Sequence, residues 1–404
     1  ATAAATGLAE LREAMCGAAV KLARSVGYEG AGTVEFLVEG GDLGPEARWY
    51  FIEVNTRLQV EHPVTEEITG LDLVEWQIRV AAGEPLPLTQ DRIWFKGHAI
   101  EARICAEDPA RGFLPSVGEI VRFNAPALPG LRVETGLGTS GAVSPFYDSM
   151  IAKLIGIGET RAEAVDRLAS GLFGLQLFGV KANAAFLINL LEDGDVIAAR
   201  MDTGLIARKL QALTRVEKAE AERAIGAGVA ALLGQRHKPP AGPADPWAAT
   251  DGFQLGGPRE QPVSVTVDGR ARAVKVRWLG GDKVSIDGGA PVRLNGDGVA
   301  VPVGERVFAI ADCSVVYAIG WPVIDVDAAA DEGSADTLRA PINGRVVRLF
   351  VAEGQAIAKG DRVAVVEAMK MEHVLHAPRD GTVDKVGVKE GAQVNQGALV
   401  AALG

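Results

Sequence analysis

Leu8, Leu11, Met15, Ala19, Leu22 and Ala23 recur at helical spacing with Glu, Arg and Lys between them, which predicts an amphipathic helix over residues 8 to 25. Two β-type runs follow, Thr33 to Val38 and Trp49 to Val54. Glu39-Gly40-Gly41-Asp42-Leu43-Gly44-Pro45 separates them, a turn-rich connection suited to an antiparallel pair. Leu71 to Ala81 reads as a further amphipathic helix, and strands and helices mix until about Leu213, so this first region is expected to be α+β. Val216 to Leu233 is helical and Ala-rich, after which Pro239, Pro240, Pro243 and Pro246 exclude a continuing helix. Beyond them the pattern turns to strands. Val263 to Val267, Ala273 to Trp278 and Val299 to Val303 are punctuated by Asp268-Gly269, Gly280-Gly281, Asp287-Gly288, Asn295-Gly296 and Asp297-Gly298, tight-turn pairs that predict a small antiparallel meander or barrel.

The last stretch repeats itself. A shift of 37 residues aligns Ala340-Pro341 with Ala377-Pro378, Gly344 with Gly381, Val346 with Val383, Val351 with Val388, Glu353-Gly354 with Glu390-Gly391, Gly360 with Gly397 and Val363 with Val400. Each copy is too short to fold alone, so two β units packed face to face are expected. Asp325, Asp327, Asp331, Glu332 and Asp336, set among Ala, Gly and Ser, make an acidic linker before the repeat, with little to bury and expected to be mobile.

A chain of 404 residues has room for several domains, and 48% apolar with 23% charged residues is ordinary globular composition. The net charge of −11 argues against a general nucleic-acid binder and against a basic membrane-surface protein. Cys16, Cys105 and Cys313 are scattered without metal-ligand spacing, as in a reducing compartment. No apolar run is long enough to span a bilayer, so no membrane association is expected and a cytoplasmic location is.

Two constellations carry chemistry. Lys370 sits in Glu367-Ala368-Met369-Lys370-Met371-Glu372, between the two repeat copies, where a protruding hairpin turn is expected. An exposed Lys is ordinarily a solvated charge. Two Met residues beside it at an exposed turn bury little unless another protein reads them. Near the other end, Glu53, Asn55, Arg57, Gln59 and Glu61 occupy alternate positions, so while the segment is extended they share one face. Glu35, in the preceding strand, can be set beside Glu53 by antiparallel pairing, and two adjacent carboxylates repel unless a cation lies between them.

Ala-Met-Lys-Met at the centre of the repeat resembles the biotinyl domain of biotin-dependent carboxylases over about residues 336 to 404; lipoyl domains share the fold but usually place Asp and Ala around their lysine. Phe51-Ile52-Glu53-Val54-Asn55-Thr56-Arg57-Leu58-Gln59-Val60-Glu61-His62, Pro63-Val64-Thr65, Glu101-Ala102-Arg103-Ile104 and Phe146-Tyr147-Asp148-Ser149-Met150 resemble the C-terminal half of the ATP-grasp fold in biotin carboxylases, from about Leu8 to Leu210. Thr214 to Gly333, with Pro246-Trp247 and Asp251-Gly252-Phe253, is similar to the subunit-docking domain of acyl-CoA carboxylase α-subunits, in the shorter form of methylcrotonyl-type and geranyl-type enzymes. The resemblance implies a multidomain chain: residues 1–213 as the α+β ATP-grasp C-terminal half and C-terminal region of a biotin carboxylase, 214–333 as a small antiparallel β-barrel with a helix, and 334–404 as an all-β biotinyl (lipoyl-like) sandwich.

The same resemblance implies the roles. Glu35, Glu53 and Asn55 would hold Mg²⁺ or Mn²⁺ bridging the ATP phosphates; Arg57, Gln59 and the Val60 backbone would bind bicarbonate; Glu61 would be the general base. Arg103 would stabilise the charge developing on the biotin ureido oxygen, and Lys370 would carry covalent biotin, attached by a biotin protein ligase. In the complete subunit, ATP and bicarbonate would form carboxyphosphate, whose CO₂ passes to biotin and on to a carboxyltransferase β-subunit in a large α/β hetero-oligomer, in the cytoplasm or, in a eukaryote, the mitochondrial matrix. Nothing before Leu8 supplies the glycine-rich loop and lysines that bind nucleotide in that family, so the chain as written is expected to begin inside the enzyme domain and to bind ATP poorly. A non-catalytic carrier and docking fragment is the alternative. A single-chain pyruvate or urea carboxylase is disfavoured, because only a small barrel fits between about Leu210 and Asp336.

Overall fold

Helix α1 (Ala9–Ser25) forms where the apolar spacing puts it, but of its stripe only Leu11 is buried, and Leu22 is exposed. The computed structural model describes residues 9–39, 47–236, 257–294, 300–311, 314–322, 336–341, 344–368, 371–395 and 397–404. The proline stretch with Trp247 and Phe253, the Asn295-Gly296 and Asp297-Gly298 turns, Cys313, most of the acidic linker, and Met369 and Lys370 therefore lie outside the described residues. Strands β1 (Thr33–Val38) and β2 (Trp49–Asn55) pair antiparallel, with Glu35 directly opposite Glu53 and a bulge just after Glu35. Helix α2 (His62–Thr69) starts with Pro63 in its first turn and stops at Gly70, whose left-handed backbone returns its N–H to the Glu66 carbonyl. The next helix, α3 (Leu73–Ala81), begins two residues later than the apolar pattern predicts. Its N-cap is Asp72, whose carboxylate accepts from the Glu75 amide at 2.8 Å.

Strands β3 (His98–Cys105), β4 (Leu131–Thr135) and β5 (Met150–Gly158) form an antiparallel sheet with β5 in the middle. Its two faces differ in kind. Ala102, Ile104 and Leu154 point into an apolar core shared with Leu168 and Leu172 of helix α4 (Arg161–Phe173). The helix lies so close that a Cβ on Gly156 would fall 2.3 Å from the Ala164 carbonyl oxygen. The alternate residues, Glu101 and Arg103 of β3, Lys153 of β5 and Glu134 of β4, face the other way, where α2 packs over the sheet. Helices α5 (Ala184–Leu191) and α6 (Leu205–Leu213) complete this part of the chain.

Helix α7 (Lys218–Arg236) is buried nearly all round, at Ala224, Ile225, Ala227, Gly228, Val229, Ala230, Ala231 and Leu232. Around it wrap β6 (Glu260–Val267), β7 (Arg270–Gly280), β8 (Lys283–Ile286), β9 (Val292–Arg293), β10 (Ala300–Val303), β11 (Arg306–Ile310) and β12 (Val316–Gly320). They form one sheet in the order β9-β8-β7-β6-β12-β11-β10, a half-barrel about the helix. Asp268-Gly269 and Asp287-Gly288 have positive φ at both residues; the first is the two-residue hairpin turn between β6 and β7, and the second turns the chain within the longer connection from β8 to β9. The half-barrel meets the first part of the chain through Phe178 stacked on Phe308, with centroids 4.9 Å apart, and through the Ser314 hydroxyl, which donates to the Leu172 carbonyl at 3.0 Å.

The repeat becomes a sandwich of two four-stranded sheets, built from β13 (Thr337–Arg339), β14 (Gly344–Leu349), β15 (Ala356–Ile357), β16 (Arg362–Ala368), β17 (Met371–His376), β18 (Gly381–Val386), β19 (Gln393–Val394) and β20 (Leu399–Leu403). β14 and β18, β15 and β19, and β16 and β20 begin 37 residues apart. The paired valines Val346 with Val383 and Val363 with Val400 are all fully buried. One expectation needs correction: the copies do not form one sheet each. The sheet orders are β13-β20-β18-β15 and β17-β16-β14-β19, so each sheet takes two strands from each copy.

Gly234→Ala in α7 should destabilise the half-barrel by about 2 to 4 kcal/mol, although Ala normally favours a helix by about 1 kcal/mol. The added Cβ would lie 2.0 Å from the Leu294 carbonyl oxygen, which is backbone and cannot swing away; calorimetry of the variant checks this. A second expectation concerns His373, whose Nε2 is buried without a hydrogen-bond partner among the described residues. Burial lowers its proton affinity below the ordinary imidazole value of 6.5. The unfolded chain therefore protonates first, and the contribution of neutral His373 is complete above pH 6.5 and drains away as pH falls below it. Thermal unfolding of the sandwich followed from about pH 7.5 to about pH 5 should show this fall, and His373→Phe should blunt it.

Candidate active site

The antiparallel register of β1 and β2 brings two carboxylates to one point. The Asn55 side-chain amide donates to Glu35 Oε1 at 2.8 Å and to Glu53 Oε1 at 3.0 Å, so both oxygens converge on a single nitrogen. Period two governs only as far as Asn55, where β2 ends. Arg57, Gln59 and Glu61 do not continue the strand as an extended segment would; the chain turns through them into α2, and Glu61 takes the N-cap position. They still gather at the same place. Gln59 Nε2 reaches Glu35 Oε1 at 3.4 Å, while Arg57 contacts Asn55 Oδ1 at 3.4 Å and Gln59 Oε1 at 3.4 Å.

Arg103 arrives from the neighbouring sheet, its Nη2 donating to Glu61 Oε2 at 2.6 Å. Both side chains are about half exposed (49% and 53%), so this pair faces solvent and is open to an incoming molecule. Glu35, Glu53, Asn55, Arg57, Gln59, Val60, Glu61 and Arg103 thus lie along one continuous surface. Lys370 lies outside the described residues, but β16 and β17, which flank it, are paired out to Ala368 and Met371.

Beneath the surface lies an ion network that the sequence reading did not single out. Lys153 Nζ donates to the Val60 carbonyl at 2.8 Å, pairs with Glu134 Oε2 at 2.7 Å and lies 3.2 Å from His62 Nε2. Arg132 is held by Glu66 at 2.8 Å, by Glu67 at 2.9 Å and by Glu134. Glu66, almost fully buried, also accepts from the Leu73 amide at 2.9 Å and so fastens the start of α3. Burial alone would raise the Glu134 carboxyl, but hydrogen bonds from Lys153 and Arg132 more than offset it and hold it below its usual value. The available signal was Lys153 itself, one charge in the apolar run Met150-Ile151-Ala152-Lys153-Leu154-Ile155.

Comparison with known proteins matches four family models in succession. Residues 2–89 match the carbamoyl-phosphate synthase L chain, ATP binding domain; 101–208 the biotin carboxylase C-terminal domain; 221–316 the methylcrotonyl-CoA carboxylase, alpha-subunit, BT domain; and 336–403 the biotin-requiring enzyme model. The chain belongs to the biotin-dependent carboxylases. Methylcrotonoyl-CoA carboxylase subunit alpha, mitochondrial, from Rattus norvegicus is 34% identical over 96% of this chain and 58% of its own length. The Dictyostelium discoideum protein of the same name is 32% identical over 93% of the chain and 58% of its own length. The mitochondrial propionyl-CoA carboxylase alpha chain of Homo sapiens is 35% identical over 98% and 57%. The chain therefore spans somewhat over half the length of these curated relatives. No helix among its described residues is long and apolar enough to cross a membrane.

Lys153→Met should cost about 1 to 3 kcal/mol in urea unfolding, below the roughly 3 to 5 kcal/mol of a fully buried pair because Glu134 is partly exposed. Lys153→Met combined with Glu134→Leu should be less destabilised than the sum of the two single variants, since the double change leaves no stranded charge.

Proposed function

We propose that this chain supplies the bicarbonate-activating residues and the biotin carrier of an acyl-CoA carboxylase α-subunit of methylcrotonyl-CoA type. The complete subunit would carboxylate biotin on Lys370 at the expense of ATP and bicarbonate and deliver the carboxyl group to a carboxyltransferase β-subunit. One observation carries the reading. Two converging carboxylates, a guanidinium and a carboxylate paired with Arg103 occur in order along Glu35 to Glu61, in the same polypeptide as the doubled β sandwich that bears Lys370 between its copies.

Glu35, Glu53 and Asn55 suit a divalent cation of the Mg²⁺ or Mn²⁺ kind. The two Oε1 atoms already meet at one amide, and two carboxylates are the usual protein share of a Mg²⁺ whose other ligands are phosphate oxygens and water. The cation would neutralise charge on the ATP phosphates. Arg57 presents a planar fork to a small planar anion, with Gln59 and the Val60 backbone beside it. Lys153 supports this by holding the Val60 carbonyl in place.

Glu61 would act as the general base that takes the bicarbonate proton. Its carboxylate is what holds Arg103, so proton uptake weakens that ion pair and frees the guanidinium to meet negative charge developing on the acceptor. Biotin, when attached, supplies the nucleophile and the transport of the carboxyl group. A tethered carrier turns its encounter with a second site into an intramolecular one. We further assign residues 1–213, 214–333 and 334–404 as carboxylase, docking and carrier domains, a division supported by the main apolar cores, which draw separately on those ranges; Leu114 against the sandwich and the Phe178–Phe308 stack are contacts between them. The implied partners are a biotin protein ligase and the β-subunit of a large α/β assembly, in the cytoplasm or the mitochondrial matrix.

Co-expression with a biotin protein ligase should give a streptavidin-binding chain, and Lys370→Arg should abolish that binding; retained binding would sink the carrier assignment. In the α-subunit carrying this chain, Glu61→Gln should lower bicarbonate-dependent ATP cleavage by about 10²- to 10⁴-fold with biotinylation intact. An unchanged rate would leave only the carrier and docking role.

A further inference from the structure

Glu101 precedes Arg103 by two positions on β3, so the two side chains leave the same face of the strand. The Glu101 side chain is only 5% exposed, and its Oε1 lies 3.9 Å from Arg103 Nε. Its Oε2 is buried with no hydrogen-bond partner among the described residues. A buried carboxylate without partners is costly, whereas the neutral acid keeps fewer demands on its surroundings.

The charges facing it explain why no partner is free. From β5 comes Lys153, which is committed to Glu134 and to the Val60 carbonyl and has His62 of α2 against it. From β4 comes Glu134, and from the segment before α2 comes Glu61, both of like sign. Arg103, on the same strand, is drawn 2.6 Å from Glu61. Burial raises the Glu101 carboxyl to about 7, with Lys153 and Arg103 opposing the rise and Glu61 and Glu134 adding to it.

We propose that Glu101 is a positioning residue for Arg103: neutral while the guanidinium is paired with Glu61 alone, it becomes a second, competing partner for that guanidinium once it gives its proton to solvent. The inference rests on Glu61 and Arg103 forming the proton-accepting pair proposed above, and it deepens that reading. Sharing Arg103 between two carboxylates loosens its hold on Glu61 and draws the guanidinium back toward Glu101, whose Oε1 lies 3.9 Å from Arg103 Nε.

The test uses the full chain with ¹³C-carboxyl-labelled glutamate and ¹⁵N-labelled arginine, titrated by NMR. Expected is one glutamate signal with a midpoint near 7 that is missing in Glu101→Gln, and an Arg103 Nε signal that shifts with the same midpoint in the wild type and stays still in the variant. A merely structural role for Glu101 moves neither signal in this coupled way. Glu101→Asp, which keeps the charge but shortens the reach, should retain the carboxyl titration and lose most of the Arg103 response; it serves also if the Gln variant does not fold. The proposal is overturned if the Glu101 signal titrates in the ordinary carboxylate range, or if the Arg103 signal ignores it. Failure of the base assignment would show separately, as full ATP cleavage in Glu61→Gln.

Discussion

An ammonium group held between a sheet and the helix above it is what the candidate site stands on. Lys153 Nζ ties the central strand of the three-stranded sheet to Glu134 on its neighbour, and reaches across to the Val60 carbonyl in the segment that leads into α2. Besides that contact, the turn from Asn55 to Glu61 is fixed at its two ends, by the Asn55 amide and by the exposed Glu61–Arg103 pair, and between them by the longer contacts of Arg57 and Gln59. The candidate surface is therefore polar on both sides, with solvent-facing groups above and an ion network below. Such networks are poor sources of net stability, but they specify one arrangement, since any shift leaves a charge unpaired.

Much of the site was legible in the sequence because its first half obeys a simple period. The pairing of two short β runs across a turn set Glu35 against Glu53, and the structure has that register. Past Asn55 the period failed, because His62-Pro63 opens a helix and the chain must turn before it. The groups around Lys153 were not legible for a different reason. Arg132 meets Glu66 and Glu67, and Lys153 meets Val60, over separations of 65 to 93 residues, and no local pattern encodes such a meeting. Glu101 was visible in the motif Glu101-Ala102-Arg103 but only its burial distinguishes it from a surface acid.

The fold divides along similar lines. Turn dipeptides announced the hairpins of the half-barrel, since Asp-Gly with two positive φ angles admits few other residues. The helix inside was announced only by its small side chains, which let a sheet close around it: Gly228 has the Ile319 and Ala309 side chains within 3 Å of where a Cβ would stand. The apolar stripe of α1 misled in part, because amphipathic spacing says which face wants cover and not which element provides it. Among the described residues, that face has little cover beyond Leu11.

In the carrier sandwich, the exchange of strands between copies has a consequence for how the module comes apart. Because every sheet is half one copy and half the other, loosening either copy removes two strands from both layers at once. No folded half survives to hold a hairpin upright. Melting should be a single concerted event, so β16 and β17, paired out to Ala368 and Met371, keep their places only while both copies are folded.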